Sequence, residues 1–134
     1  MIVADTDVLI DGLRGKDPGK SRLAVELSTG RLATTTITVF ELTSGARSPS
    51  EREKVDTLLA ALTILPLDIP AARTAAQVRS DLESRGLGLA MADYLIAGIC
   101  LSRSAILMTR NRAHFDRVKG LAVSGRWLGD HSPA

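Results

Sequence analysis

The chain has 134 residues, 45% of them hydrophobic and only 3% aromatic, with 17 Lys and Arg against 15 Asp and Glu for a formal net charge of +2. That length suits one domain with an aliphatic core of Leu, Ile, Val and Ala. Scarce aromatics argue against a base-stacking platform, and no uncharged apolar stretch is long enough to span a membrane. A single cysteine, Cys100 within Ile99-Cys100-Leu101, excludes an intramolecular disulfide and reads as a buried structural thiol of a reducing compartment. The start lacks a basic region and its apolar run breaks at Asp5, so no signal peptide is expected and the protein is expected in the cytoplasm.

The charge is uneven. From Leu101 onward Arg103, Arg110, Arg112, Arg117, Lys119 and Arg126 face only Asp116 and Asp130, a local +4. Such a surplus suits an anionic partner, and equally an ordinary solvated surface.

The elements follow in chain order. Ile2 to Asp5 reads as a buried parallel strand, followed by a short helix from Thr6 to Leu13. Gly12, Gly15, Pro18 and Gly19 make a turn-rich break. Ser21 to Ser28 reads helical, with Leu23, Ala24 and Leu27 on one face and Gly30 as its stop. Leu32 to Thr36 is rich in β-branched residues and predicts a second strand; Ile37 to Arg47 predicts a helix that carries Glu41. Ser50 and Glu53 have capping-box spacing for a helix whose apolar stripe is Val55, Leu58, Leu59 and Leu62.

Thr63 to Leu67 predicts a short strand that Pro66 confines to an edge or an end. Asp68 and Pro70 start a long helix to Arg85, ended by Gly86 to Gly88. Ala92 to Arg103 is the next helix, with Asp93 in its first turn and Ile96, Ile99 and Cys100 facing inward. Ala105 to Thr109 reads as a buried strand and Leu121 to Val123 as a last short one. Strands alternating with helices imply a mostly parallel sheet with helices on both faces. Residues 1–124 form the expected domain and 125–134 a short, frayed C-terminal tail; no repeat or low-complexity segment interrupts them.

The acids are the chemically informative residues. Open α/β sheets bind ligands at the carboxyl ends of their strands, and Asp5 lies at such an end. Thr109-Arg110-Asn111 lies at another, while Glu41 and Asp93 sit in helices that can face the same edge. Each has a plainer role open to it. Asp5 is also a good helix N-cap, and Asp93 is favoured by the macrodipole in a first helical turn. Glu41 sits inside the apolar run Val39-Phe40-Glu41-Leu42, where a charge needs a reason. Two carboxylates about 4 Å apart repel by about 4 kcal/mol at an effective dielectric of about 20, so a convergence of acids calls for protonation or a cation. Hard oxygen donors point to Mg²⁺ or Mn²⁺. His114 and His131 have no partner at zinc spacing. A carboxylate-held ion in a locally basic domain points to phosphodiester chemistry.

Four segments carry a resemblance. Ile2-Val-Ala-Asp-Thr-Asp-Val-Leu-Ile10, Val39-Phe-Glu-Leu42, Met91-Ala-Asp-Tyr-Leu-Ile-Ala-Gly98 and Leu107-Met-Thr-Arg-Asn-Arg-Ala-His-Phe115 resemble, in order, the motifs of PIN-domain ribonucleases. Their order and the chain length resemble VapC toxins of bacterial toxin–antitoxin pairs, from Met1 to about Gly120. The resemblance implies a PIN-like three-layer α/β/α sandwich and a Mg²⁺-dependent endoribonuclease (Mn²⁺ being the other candidate ion). Its partners would be cellular RNA, a cognate VapB antitoxin and a second copy in a homodimer. Asp5 and Asp93 match the family's metal-binding aspartates and Glu41 its internal acid. Thr6 would order the first loop, and Thr109 and Asn111 would support the acidic cluster. Asp7 stands where relatives often have asparagine, which implies a supporting hydrogen bond. Many relatives place an aspartate just before the phenylalanine of the last motif, where this chain has His114. Asp116 either takes that fourth acidic role or is an exposed helix residue paired with an arginine. Arg110, Arg112 and Arg117 are candidates to contact RNA phosphates.

Two rival readings differ in class. Asp5-Thr6-Asp7-Val8-Leu9 after an apolar strand also looks like the nucleophile loop of haloacid-dehalogenase-like phosphatases. There Asp5 would attack phosphorus and Asp7 would serve as acid/base. The chain is short for that family and lacks its later pair of metal-binding aspartates near a lysine. The other is a catalytically silent PIN fold kept for binding.

Overall fold

The computed structural model describes residues 1–124; the expected tail, 125–134, lies outside the described residues. The order of elements is β1 (Ile2–Ala4), α1 (Thr6–Leu13), α2 (Gly19–Ser28), β2 (Leu32–Thr35), α3 (Thr36–Gly45), α4 (Pro49–Ala60), β3 (Thr63–Leu65), α5 (Ile69–Ser84), α6 (Met91–Ser102), β4 (Ile106–Met108), α7 (Arg112–Phe115) and β5 (Ala122–Ser124). The strands pair in the order β3-β2-β1-β4-β5, and every pairing is parallel. The expected α/β class is observed.

Alternation along the strands divides the core in two. Val3, Ala33, Leu65 and Leu107 point to one side, where they pack with Ala71 and Leu82 of α5, Ile96 and Ile99 of α6, and Phe115. Ala4, Leu32 and Met108 point to the other and pack with Val8, Leu9, Leu23, Leu42 and Val55 of α1 to α4. The result is three layers, α/β/α. Cys100 is fully buried in the first core, and burial pushes its thiol up to about 12, as fits a structural cysteine. Among the described residues no helix is long and apolar enough to cross a membrane.

Several element ends differ from the sequence expectation. α2 begins at Gly19, two residues early, and Thr36 is the first residue of α3 and not the last of β2. The N-cap of α4 is Ser48, whose hydroxyl accepts from Glu51 N at 3.1 Å, and not Ser50. Pro49 explains the shift, because its fixed φ and missing N–H suit the first helical position. The single turn α7, with Asp116 at its C-cap, agrees with the helical alternative for Asp116, although four residues with one buried side chain carry no readable periodicity.

The strand order creates a switch point. From β1 the chain steps outward through β2 to β3, then returns to β4 on the other side of β1. Neighbouring strands whose connections leave in opposite directions leave a crevice at their carboxyl ends, where α/β proteins bind ligands. Here those ends carry Asp5 and Thr109.

Candidate functional site

β1 stops at Ala4 and delivers Asp5, 6% exposed, to that crevice. Of the roles foreseen for it, the helix N-cap is observed, and its second oxygen is held by a threonine. Oδ1 accepts from Thr6 N at 2.8 Å and caps α1, while Oδ2 accepts from Thr109 Oγ1 at 2.7 Å. Thr109, fully buried at the end of β4, also lies 3.4 Å from Asp7 Oδ2. A hydroxyl has one proton, so the shorter contact, to Asp5, is the one it serves. Asn111 contributes through its backbone, donating to Thr109 Oγ1 at 3.0 Å, while its side chain meets His114 Nδ1 at 2.8 Å.

Asp7 follows in the first turn of α1. Its Oδ2 accepts from Arg110 N at 3.2 Å, and its Oδ1 is buried with no hydrogen-bond partner among the described residues. An orphaned buried carboxylate oxygen is costly. Glu41 reaches the same edge from α3: its Oε1 accepts from Thr6 Oγ1 at 2.7 Å. That contact is the reason a charge sits in the apolar Val39–Leu42 run. Glu41 also lines a cleft of about 450 Å³ with Ile10, Leu13, Leu42 and Val55, so it is open to solvent.

Asp93 enters in the first turn of α6, half-buried. The loop before it is strapped in place. Buried Tyr94 accepts at its hydroxyl from Leu89 N at 2.8 Å, and Arg117 donates to Leu87 O and Gly88 O at 3.5 and 3.3 Å.

The electrostatics couple these acids. Burial, then the charge of Asp7 and more weakly that of Asp93, pushes the Asp5 carboxyl up to about 7 against the pull of its Thr109 and Thr6 hydrogen bonds. Burial also raises Asp7, opposed by the N–H and charge of Arg110. Asp93 is raised by burial, with Glu41 and Asp7 adding to the rise and His114 opposing it. Asp5 therefore feels the charges of Asp7 and Asp93, and Asp93 those of Asp7 and Glu41.

Their donor set, all hard carboxylate oxygens with one buried oxygen unsatisfied, fits a divalent ion such as Mg²⁺ or Mn²⁺. The fit is one of chemistry and charge. Among the described residues no three His, Cys, Asp or Glu side chains are already gathered to hold a metal ion.

The remaining candidates are placed less centrally. Asp116 is more than half exposed and pairs with Arg112 at 3.4 Å, the second of its two foreseen roles. Arg110 pairs with buried Asp11 at 3.0 Å. The Arg112–Asp116 pair lies at the surface and is weak, typically below about 1 kcal/mol, so Arg112 can exchange it for phosphate, whereas releasing Arg110 would leave the buried Asp11 carboxylate unpaired. Arg117 is turned to the loop carbonyls. The residues that sequence reasoning missed are Tyr94, Asp11 and the threonines of β2 and α3. Only the spacing of Thr35 and Thr38 at a helix start could have signalled the last.

Comparison with known proteins places this geometry. The PIN domain family model matches residues 2–121. The tRNA(fMet)-specific endonuclease VapC of Shigella flexneri is 30% identical over 121 residues, covering 87% of this chain and 91% of that protein. Ribonuclease VapC10 of Mycobacterium tuberculosis is 33% identical over 115 residues, 86% of each. The DNA-bound VapBC structure from Salmonella typhimurium superposes with a TM-score of 0.82 at 28% identity, over 92% of this chain and 96% of that one.

Proposed function

Because the chain belongs to the PIN-domain family, we propose that it is an endoribonuclease toxin of the VapC type that uses Mg²⁺ (or Mn²⁺) and is neutralised by a cognate VapB antitoxin. The observation that carries this reading is the placement of Asp5, Asp7, Glu41 and Asp93 at the carboxyl end of the sheet, where Thr6 joins the first loop to Glu41 and Thr109 joins β4 to Asp5. The family match also removes the phosphatase alternative, which required a different fold family.

Asp5 and Asp93 would hold the ion, with the unsatisfied Oδ1 of Asp7 supporting the site. A bound divalent ion supplies a water of lowered pKa and stabilises charge on the phosphorus oxygens. Glu41, steadied by Thr6, accepts the proton of the attacking water and sets its direction. Thr109 keeps the Asp5 carboxylate turned toward the crevice. Arg112, at its rim, takes a phosphate flanking the scissile bond.

We place the whole catalytic unit in residues 1–124 and its action in the cytoplasm. A homodimer completes the reading: Phe40, Ile69 and Met91, in the first two turns of α3, α5 and α6, are 70%, 67% and 53% exposed. Antitoxin-free protein is expected to sediment as a dimer at micromolar concentration; a monomer there contradicts the dimer.

Asp93→Asn removes a charge with little change of shape. We expect it to lower metal-dependent RNA cleavage by at least about a hundredfold while leaving thermal stability unimpaired. Cleavage at the parental rate would remove Asp93 from the site.

A further inference from the structure

We propose that Thr38 is a positioning residue for Glu41, acting through Thr6. This rests on the nuclease reading above, since the work of Glu41 is the reaction itself.

Thr38 lies on α3, three residues before Glu41 and on the same face, and is fully buried. A buried hydroxyl must find a partner. The cap of α3 does not use this one: Thr35 is the N-cap, and its Oγ1 accepts from the backbone N–H of Thr38 at 3.1 Å. The Thr38 hydroxyl lies 3.0 Å from Thr6 Oγ1 and 3.3 Å from Thr35 Oγ1. Thr6 Oγ1 in turn lies 2.7 Å from Glu41 Oε1.

Proton counting orders the run. An ionised carboxylate only accepts, so Thr6 spends its one proton on Glu41, the shortest and charge-assisted contact. Thr6 Oγ1 must then accept from Thr38, and Thr38 from Thr35. Each hydroxyl gives once, and the chain ends at a capped helix terminus. A glutamate side chain has three rotatable bonds, so an exposed one samples many rotamers. Here its carboxylate is tied to a hydroxyl whose own rotor is fixed from behind, and Glu41 meets the substrate already aimed. Spacing from Thr35 marks the backbone of Thr38 as part of a helix start, and only the fold gives its hydroxyl a role.

Thr38→Val keeps shape, backbone cap and burial and deletes only the hydroxyl. With an RNA substrate and Mg²⁺, the expected result is a fall in kcat on the order of tenfold with KM unchanged, and recovery in Thr38→Ser. Added to Glu41→Gln, Thr38→Val should cost nothing further, since two residues acting as one unit are not additive. A second readout needs no cleavage. In protein carrying ¹³C-carboxyl glutamate, the Glu41 resonance should move in Thr38→Val and stay in Thr38→Ser. Full activity with an unmoved resonance, or an equal loss in the Glu41→Gln background, overturns the assignment. If the parent cleaves no RNA, the nuclease reading falls and the Glu41 resonance alone decides the linkage.

Discussion

Asp5 shows what the site costs the fold. Its carboxyl keeps its proton up to about 7 in the folded protein and releases it near 3.8 as an ordinary aspartate. Between those values the folded state binds the extra proton, so the stability of the metal-free protein falls as pH rises from about 4 to about 7 and then levels. Asp5→Asn keeps an N-cap oxygen and removes the charge. Urea denaturation in EDTA should find this variant more stable than the parent at pH 8, by a few kcal/mol, about 4 at most. The margin should shrink to nothing near pH 4. A variant less stable than the parent at pH 8 would mean that the Thr109 and Thr6 hydrogen bonds outweigh burial. On the proposed reading, local stability is given up here for function, as expected where charged groups are desolvated for a ligand.

At the scale of elements, the helix start at Ser48 makes a sharp case. Ser48 caps α4 and Glu51 accepts from Arg47 N at 2.7 Å, whereas Ser50 is already inside the helix. Ser48→Ala should therefore cost about 1 kcal/mol in urea denaturation and Ser50→Ala less than about 0.5 kcal/mol. The reverse order would restore the capping box that spacing alone implied. The elements themselves were legible from apolar runs bounded by glycine, proline and capping residues, and so was Asp68 as the N-cap of α5. The ends were less so. A serine, a proline and another serine in succession offer two registers, and only the proline geometry decides between them. Gly98 was opaque for a different reason. A Cβ there would stand 2.6 Å from the Ala71 carbonyl oxygen and 2.6 Å from Ala75 Cβ. The glycine lets α5 and α6 approach closely, a demand that depends on a partner helix distant in sequence.

At the scale of the whole fold, the five parallel strands of the described residues and one reversal of strand order at β1 gather residues far apart in sequence into one crevice. The acids of the site were legible because carboxylates in or beside apolar runs stand out. Thr6 and Thr109 were legible through the motifs that carry them, whereas Thr35 and Thr38 were not: a hydroxyl in or beside Leu32–Thr36 reads as strand propensity, and which threonine meets which acid depends on the strand order. Arg117 illustrates the converse, a basic residue that charge marks for RNA and the fold turns toward the loop ahead of Asp93. The central claim is that this crevice is a metal-dependent ribonuclease centre. The most direct measurement is cleavage of total cellular RNA by purified, antitoxin-free protein in Mg²⁺, in EDTA, and with Asp5→Ala in Mg²⁺. The account predicts discrete cleavage in the first and none in the other two. Cleavage that persists in EDTA or in Asp5→Ala, or a folded, Mg²⁺-binding parent that cuts nothing, would contradict it.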